Sequence, residues 1–230
     1  MRLVAASDTH NKLHQIMDKF PEGDLLIHCG DLTGRGEHGE ITRQLRALGE
    51  LKSRYTHGVV FCAGNHEFLF SKQPALARQI AADNDLIYLE HESISLGGLK
   101  IFASPYTPEF FRWAFMLPRG EKSKLYWDQI PQDIDVLITH GPPMGWLDSV
   151  EKVHTFINLD GEPKEWVEVE HVGCEELTKA VERVKPKVHC FGHIHGGYGT
   201  AEHPCGTRMY NCSLLGEDYK YANPPHIIDI

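Results

Sequence analysis

Five short, nearly uninterrupted apolar runs constrain this chain more than any other feature: residues 2–7 (RLVAAS), 24–29 (DLLIHC), 58–63 (GVVFCA), 134–139 (IDVLIT) and 187–191 (KVHCF). A run of this length without polar alternation suits a strand covered on both faces. Helical patterns lie between the runs. In 39–53, Ile41, Leu45, Leu48 and Leu51 fall on one face. Residues 74–82 open with Pro74, whose fixed φ fits a first helical turn. Residues 173–184 place Leu177, Val181 and Val184 on one face and are stopped by Pro186. This strand–helix alternation predicts an α/β fold with parallel crossovers. At 230 residues, against ~150 per domain, the chain is expected to form one domain over 1–230.

The remaining segments read differently. Residues 86–103 suggest two or three short strands turning at Gly97-Gly98. Residues 207–214 and 225–230 resemble strands near a sheet edge. Residues 145–172, rich in Gly, Asp, Glu and Val without a clear period, are expected to form a long loop or an insertion. The aromatic block 104–120 holds Tyr106, Phe110, Phe111, Trp113 and Phe115 between prolines. It is read as a satellite core under a loop, with Tyr106 or Trp113 at its rim, in preference to a base-stacking loop.

Chemistry-bearing residues collect where the five runs stop: Ser7-Asp8-Thr9-His10, Gly30-Asp31, Gly64-Asn65-His66-Glu67, Thr139-His140-Gly141-Pro142-Pro143 and Gly192-His193-Ile194-His195. Ligands in α/β folds bind at the carboxyl ends of strands. The pairs Asp8/His10 and His193/His195 are spaced i, i+2, which in an extended segment puts both side chains on one face. The chain also carries 15 dispersed histidines, and neutral imidazole is the commonest metal ligand. Carboxylates, imidazoles and an amide oxygen suit Mn, Fe or Zn better than the all-oxygen preferences of Mg or Ca. The donors exceed the four of one tetrahedral zinc and fit two ions sharing a carboxylate.

The order SDTH, GD, GNHE, HGPP, GHIH resembles the calcineurin-like metallophosphoesterase superfamily. AGNHEFLF, SPYTPEFFRWAFMLPRG, THGPPMGWLD, FGHIHGGYG and the terminal NPPHIIDI resemble in particular the metallophosphoesterase-domain (MPPED) proteins and their bacterial relatives. The likeness runs over nearly the whole chain and is weakest in 145–172. It implies a four-layer α-β-β-α sandwich of two mixed sheets with a dimetal centre at the strand ends. By the resemblance, one metal takes Asp8, His10 and His195, a second takes Asn65, His140 and His193, and Asp31 bridges. Some MPPED relatives lack the first His of the last motif; His193 supplies it here. Two transition metals, divalent or trivalent, are implied, with Mn expected and Fe or Zn the alternatives.

The resemblance further implies phosphodiester hydrolysis by a hydroxide bridging the two ions, with no protein nucleophile. His66, and with it Asp31 as the bridge, is the catalytic residue implied: His66 stabilises the transition state or protonates the leaving group. Asn65, His66 and Arg35 are the substrate-binding candidates, Arg35 because its planar fork can grip a phosphoryl oxygen. One departure stands out. Related phosphatases carry an acid that orients the catalytic His, and Gly34 occupies its place; Glu37 or Glu67 are the substitutes considered. Small phosphodiesters, cyclic nucleotides above all, are the expected substrates. A phosphomonoesterase, a phosphoprotein phosphatase and a non-enzymatic metal- or nucleotide-binding scaffold are the alternatives.

Composition excludes other classes. Lys and Arg total 23 against 32 Asp and Glu, a net charge of −9. Such a surface disfavours non-specific nucleic-acid or membrane binding, so phosphate chemistry must rest on a local positive site. No apolar run approaches the ~20 residues of a membrane span, and MRLVAASDTH lacks the pattern of a secretory signal. The six cysteines form no CxxC and read as reduced buried thiols, so a cytoplasmic protein is expected. The sequence does not decide the oligomeric state, a monomer or a homodimer.

Overall fold

Every one of the five apolar runs is a strand in the computed structural model of the chain, which describes residues 1–158 and 160–230. The first half runs β1 (Arg2–Ala6), α1 (Leu13–Ile16), β2 (Leu25–His28), α2 (His38–Glu50), β3 (Val59–Phe61), α3 (Phe68–Lys72), α4 (Pro74–Asp83), β4 (Ile87–Tyr88), β5 (Glu92–Leu96), β6 (Leu99–Ser104), β7 (Thr107–Pro108) and β8 (Met116–Leu117). The second half runs α5 (Glu121–Trp127), β9 (Val136–Thr139), β10 (Ser149–Ile157), β11 (Pro163–His171), α6 (Glu175–Val184), β12 (Val188–Phe191), β13 (Gly199–Glu202), β14 (Arg208–Asn211) and β15 (His226–Asp229).

Two mixed sheets result. One has the order β15-β1-β2-β3-β4, parallel except for β15. The other has the order β13-β14-β12-β9-β6-β5, parallel through β14, β12, β9 and β6 and antiparallel at both edges. Strand side chains alternate between faces, so each sheet feeds two cores. Leu3, Ala5, Leu25 and Ile27 of the first sheet meet Ile101, Val136, Ile138 and Val188 of the second. The opposite face of the first sheet, with Val4, Leu26, Val59 and Phe61, packs on Ile41, Leu45 and Leu48 of α2 and on Ala77 and Ile80 of α4. The outer face of the second, with Phe102, Leu137, Phe191 and Met209, packs on Trp127 of α5 and Leu177, Val181 and Val184 of α6. The expected four-layer α-β-β-α sandwich is thus present.

Local chemistry sets the element ends. Glu37 and Glu40 close a capping box at the start of α2. The helix expected over 39–53 ends at Glu50 and continues as a tighter turn over Lys52–Arg54. Lys185 closes α6 in the left-handed region at φ 53°, immediately before Pro186. Gly97 and Gly98, with φ 58° and 82°, make the tight turn between β5 and β6. No helix among the described residues is long and apolar enough to cross a membrane. All six cysteines are free thiols, five of them buried.

The reading of 145–172 as a loop is corrected. β10 and β11 form an antiparallel hairpin in register from Ser149↔His171 to Ile157↔Pro163. Its apolar residues fall at 150, 153, 156 and 157 in β10 and at 166, 167 and 169 in β11, so neither strand alternates cleanly, and both faces carry interspersed charge. A ribbon with no core behind it never develops the one-sided pattern by which a strand is recognised.

Candidate metal centre

β1, β2, β3, β9 and β12 end on one rim, and the chain turns sharply as it leaves them. Asp8 (φ 56°), His10 (φ 35°), Asp31 (φ 54°) and His193 (φ 71°) all adopt left-handed backbone. Such conformations cost roughly 1–3 kcal/mol each and persist where surrounding contacts over-determine them. Here the loops hold one another: the amides of Asp8, His10 and Asn11 donate to the carbonyls of Gly30, Asp31 and Leu32 at 3.0, 3.1 and 2.8 Å. The extended geometry expected for the two i, i+2 pairs is therefore corrected. These segments are turns, and they deliver both side chains to the rim by bending across it. The motif glycines allow the close approach: a Cβ on Gly192 would collide with the Asp8 carboxylate, and one on Gly64 with that of Asp31.

The turns assemble seven donors in two groups that share Asp31. In the first, Nε2 of His10 lies 3.2 Å from Nε2 of His195, 3.9 Å from Asp8 Oδ1 and 3.9 Å from Asp31 Oδ2. Nε2 of His195 is 3.7 Å from Asp8 Oδ1. In the second, Nε2 of His140 lies 3.3 Å from Asp31 Oδ2 and 2.9 Å from Asn65 Oδ1. Asp31, His140 and His193 have ligand atoms within 4.8 Å of one another, as do Asp8, His10 and His195.

The donor set fits cations. Nδ1 of His10, His140 and His195 each faces a backbone carbonyl, of Thr33, Cys29 and Gly216, at 3.1, 2.9 and 3.0 Å. Those bonds assign the proton to Nδ1 and leave the Nε2 lone pair to the rim. Lone pairs of His10 and His195 then face each other at 3.2 Å with no proton between them, a repulsion that a shared positive ion removes. Charge favours the same outcome. Burial pushes the His10 imidazole down, and burial aided by His140 pushes His193 down to about 4, so both stay neutral donors. Burial alone would raise the carboxyls of Asp8 and Asp31, but the surrounding histidines outweigh it and hold both below their ordinary values. At His140 burial opposes the charge, yet Asp31 outweighs it and pushes the imidazole up to about 9, so this position favours positive charge.

Several supporting roles were not visible in the sequence. Ser213 donates to Asp8 Oδ2 at 2.8 Å, from the turn after β14. The Tyr219 ring stands against those of His10 and His195, each at 4.9 Å between centroids. Glu67, fully buried, accepts from the amides of Asp31, Thr33 and Gly64 and from the Thr33 hydroxyl, at 2.9, 2.9, 2.7 and 2.7 Å. It ties the loops after β2 and β3 together and bonds neither imidazole nitrogen of His66.

His66 is oriented by neither carboxylate considered for it. Its Nδ1 meets the carbonyl of Gly34 at 2.5 Å, and its Nε2 points to Asp31 Oδ2 at 3.7 Å. The residue in the acid's place thus orients the histidine with its backbone. Glu37 instead caps α2.

The aromatic block divides. Ala114, Phe115 and Leu117 are buried and Tyr106 packs beside them, away from the metal cavity. Phe110 and Phe111 are 56% and 81% exposed, which corrects the core reading for those two. Trp113 is at the rim as expected, its ring 4.4 Å from that of His66. The cavity over the metal ligands, about 720 Å³, is walled by Trp113, Phe110, Tyr219, Arg119 and the inner face of the hairpin through Val150, Lys152 and Glu170. Arg35 is exposed and lines an adjoining groove instead.

Comparison with known proteins agrees with this geometry. The family profile described as calcineurin-like phosphoesterase matches residues 1–197. Metallophosphoesterase domain-containing protein 1 of Homo sapiens is 36% identical over 253 residues, which cover 100% of this chain and 71% of that protein. A UPF0046 protein of Caenorhabditis elegans is 36% identical over 246 residues, covering 100% and 81%. One solved structure superposes with a TM-score of 0.61 at 16% identity, covering 94% of this chain and 91% of the other. A Thermus thermophilus protein superposes at 0.53 with 13% identity, covering 91% and 88%. These two likenesses concern the fold alone.

Proposed function

We propose that this chain, which belongs to the calcineurin-like phosphoesterase family, is a dimetal phosphodiesterase acting on small phosphodiesters, with cyclic nucleotides the first class to test. The observation that carries the diester reading is the charge of the metal cavity. Its two cationic side chains are already engaged, Arg119 with Glu175 and Lys152 with Glu170, and Glu109 also faces it. Among the described residues, no Lys or Arg of the cavity is left free to meet the second charge of a phosphomonoester dianion. A diester, with a single negative charge, needs none.

Asp8, His10 and His195 would hold one ion, Asn65, His140 and His193 the other, and Asp31 would touch both. A bound metal pair supplies Lewis-acid polarisation of the phosphoryl oxygens and an acidified water; manganese is the ion we expect. His66 does the remaining proton work. Its Nδ1–H is committed to Gly34, so a proton carried on Nε2 is aimed into the cavity and can pass to the departing oxygen as its bond to phosphorus breaks. Trp113 covers one face of the ring and limits its swing. Ser213 and Glu67 hold the carboxylate and the loops in place.

Hydrolysis of bis-p-nitrophenyl phosphate against p-nitrophenyl phosphate, with manganese added, tests the assignment. The diester is expected to be the better substrate by kcat/KM. Faster turnover of the monoester would transfer the assignment to a phosphomonoesterase, and stoichiometric metal with neither activity would indicate a binding scaffold.

A further inference from the structure

A second groove, of about 820 Å³, adjoins the metal cavity and shares Phe110 and Trp113 with it. Its electrostatics run against the rest of the molecule. The chain carries a net charge of −9, yet Arg35, Lys72 and Arg112 line this groove with Glu37 as the one carboxylate. The Glu37 side chain accepts from the Glu40 amide in the capping box of α2. None of the three cations belongs to an ion pair among the described residues, in contrast to Arg119 and Lys152 in the metal cavity. The groove is also aromatic. Phe111 is 81% exposed at φ 53°, a backbone strain unusual for a bulky side chain. Lys72 lies 4.7 Å from the Phe68 ring centroid. Exposed aromatic faces beside unpaired cations are what stacks bases and neutralises phosphates.

Position relative to the chemistry gives the groove its meaning. Trp113 leans on His66, the residue that faces the departing oxygen, and also lines the groove. A leaving group released on the His66 side therefore has the groove beside it. We propose that this groove binds the distal nucleotide of a linear dinucleotide phosphodiester, with Arg35, Lys72 and Arg112 meeting its terminal phosphate and Phe111 and Trp113 its base. The inference rests on the diesterase reading for the scissile bond and extends it from cyclic mononucleotides to substrates with a second nucleotide. The acidic remainder of the surface limits the occupant to something short, since a long polyanion would be repelled beyond the groove.

The test uses the full chain, the double variant Lys72→Glu/Arg112→Glu and, separately, Phe111→Ala. All three positions are exposed, so the fold is expected to survive. With manganese bound, the ratio of kcat/KM for the linear diadenylate pApA to that for bis-p-nitrophenyl phosphate is expected to fall about tenfold in the double variant and several-fold in Phe111→Ala. Calorimetric titration of the chelator-treated chain reads the groove without catalysis: pApA is expected to bind more tightly than ApA, which lacks the terminal phosphate, and the charge reversal to remove that advantage. An unchanged ratio, or pApA binding no tighter than ApA, overturns the proposal. Binding of pApA through the groove without hydrolysis of any diester would sink the diesterase reading and leave the groove assignment standing. Sedimentation with phosphatidylserine vesicles that depends on Phe110 and Phe111, without pApA binding, would assign the patch to a lipid surface and overturn it.

Discussion

The imidazole of His66 is held by the backbone carbonyl of Gly34, with Nδ1 and O 2.5 Å apart. A carbonyl accepts a hydrogen bond but carries no charge of its own, so it fixes the tautomer of His66 without adding charge beside it. The ring is kept in place from its other side by Trp113.

From that geometry, His66→Ala is expected to keep its metals while kcat falls ~10²-fold or more, the loss of a positioned acid. The deficit should narrow for esters of acidic alcohols, which leave without protonation. Metal analysis beside a leaving-group series checks both. Loss of metal from this variant would make His66 a ligand and end the acid assignment.

Glu67 gathers four donors from the loops after β2 and β3. Glu67→Gln turns an amide NH₂ towards some of them and leaves buried N–H groups unpaired. Unfolding stability is expected to drop by about 2–4 kcal/mol, read from the midpoint of a denaturant titration. A midpoint unchanged from the parent would show that the loops are held by other contacts.

His189 gives the native state an acid-sensitive point. Its Nε2 meets the Thr139 hydroxyl at 2.8 Å, that hydroxyl also donates to the Gly141 carbonyl, and Nδ1 has no partner. Burial, with a smaller contribution from His203, pushes the imidazole from 6.5 down to about 3. Between those values the unfolded chain binds the extra proton, so this contribution to stability is full above about pH 6.5 and declines as pH falls towards 3, by a few kcal/mol in all. His189→Gln should flatten the slope of unfolding free energy against pH in that window. An identical slope in the variant would exonerate His189.

Metal should stabilise the fold, because the assembled donor set is absent from the unfolded chain. Removing the metal with a chelator is expected to lower Tm by several degrees at pH 8. The difference should shrink towards pH 5, since His140, which burial pushes down but Asp31 lifts to about 9, must give up its proton to bind an ion, and that loss costs more as pH falls. Activity should rise across the same interval. Asp31→Asn should bind metal poorly at both positions, since it removes the charge the two share. Equal Tm values with and without chelator at pH 8 would argue against a structural role for the metals.

The strands and the candidate donors at their ends were legible in the local pattern, because each depended on short-range information. A strand buried on both faces must be apolar throughout, and a strand end is where chain polarity changes; the five runs and the motifs after them state both facts directly. The capping box of α2, Pro74 and Pro186 are equally local. The hairpin of β10 and β11 was not legible because nearly all of its residues stay exposed, so no face had to be purely apolar.

What only the tertiary structure decided is how the ends meet. Neither the left-handed backbone of Asp8, His10, Asp31 and His193 nor the backbone acceptor for His66 can be read from residue types, since a carbonyl belongs to every residue. Ser213 and Tyr219 reach the site from the C-terminal turns, more than two hundred residues along the chain from Asp8. The sorting of charge is also three-dimensional. Arg35, Lys72 and Arg112 are far apart in the chain and form one positive groove because α2, α3 and the aromatic loop are brought together by packing. Residue order decides which groups a chain owns, but electric fields and coordination depend on distance, and distance is set by the fold.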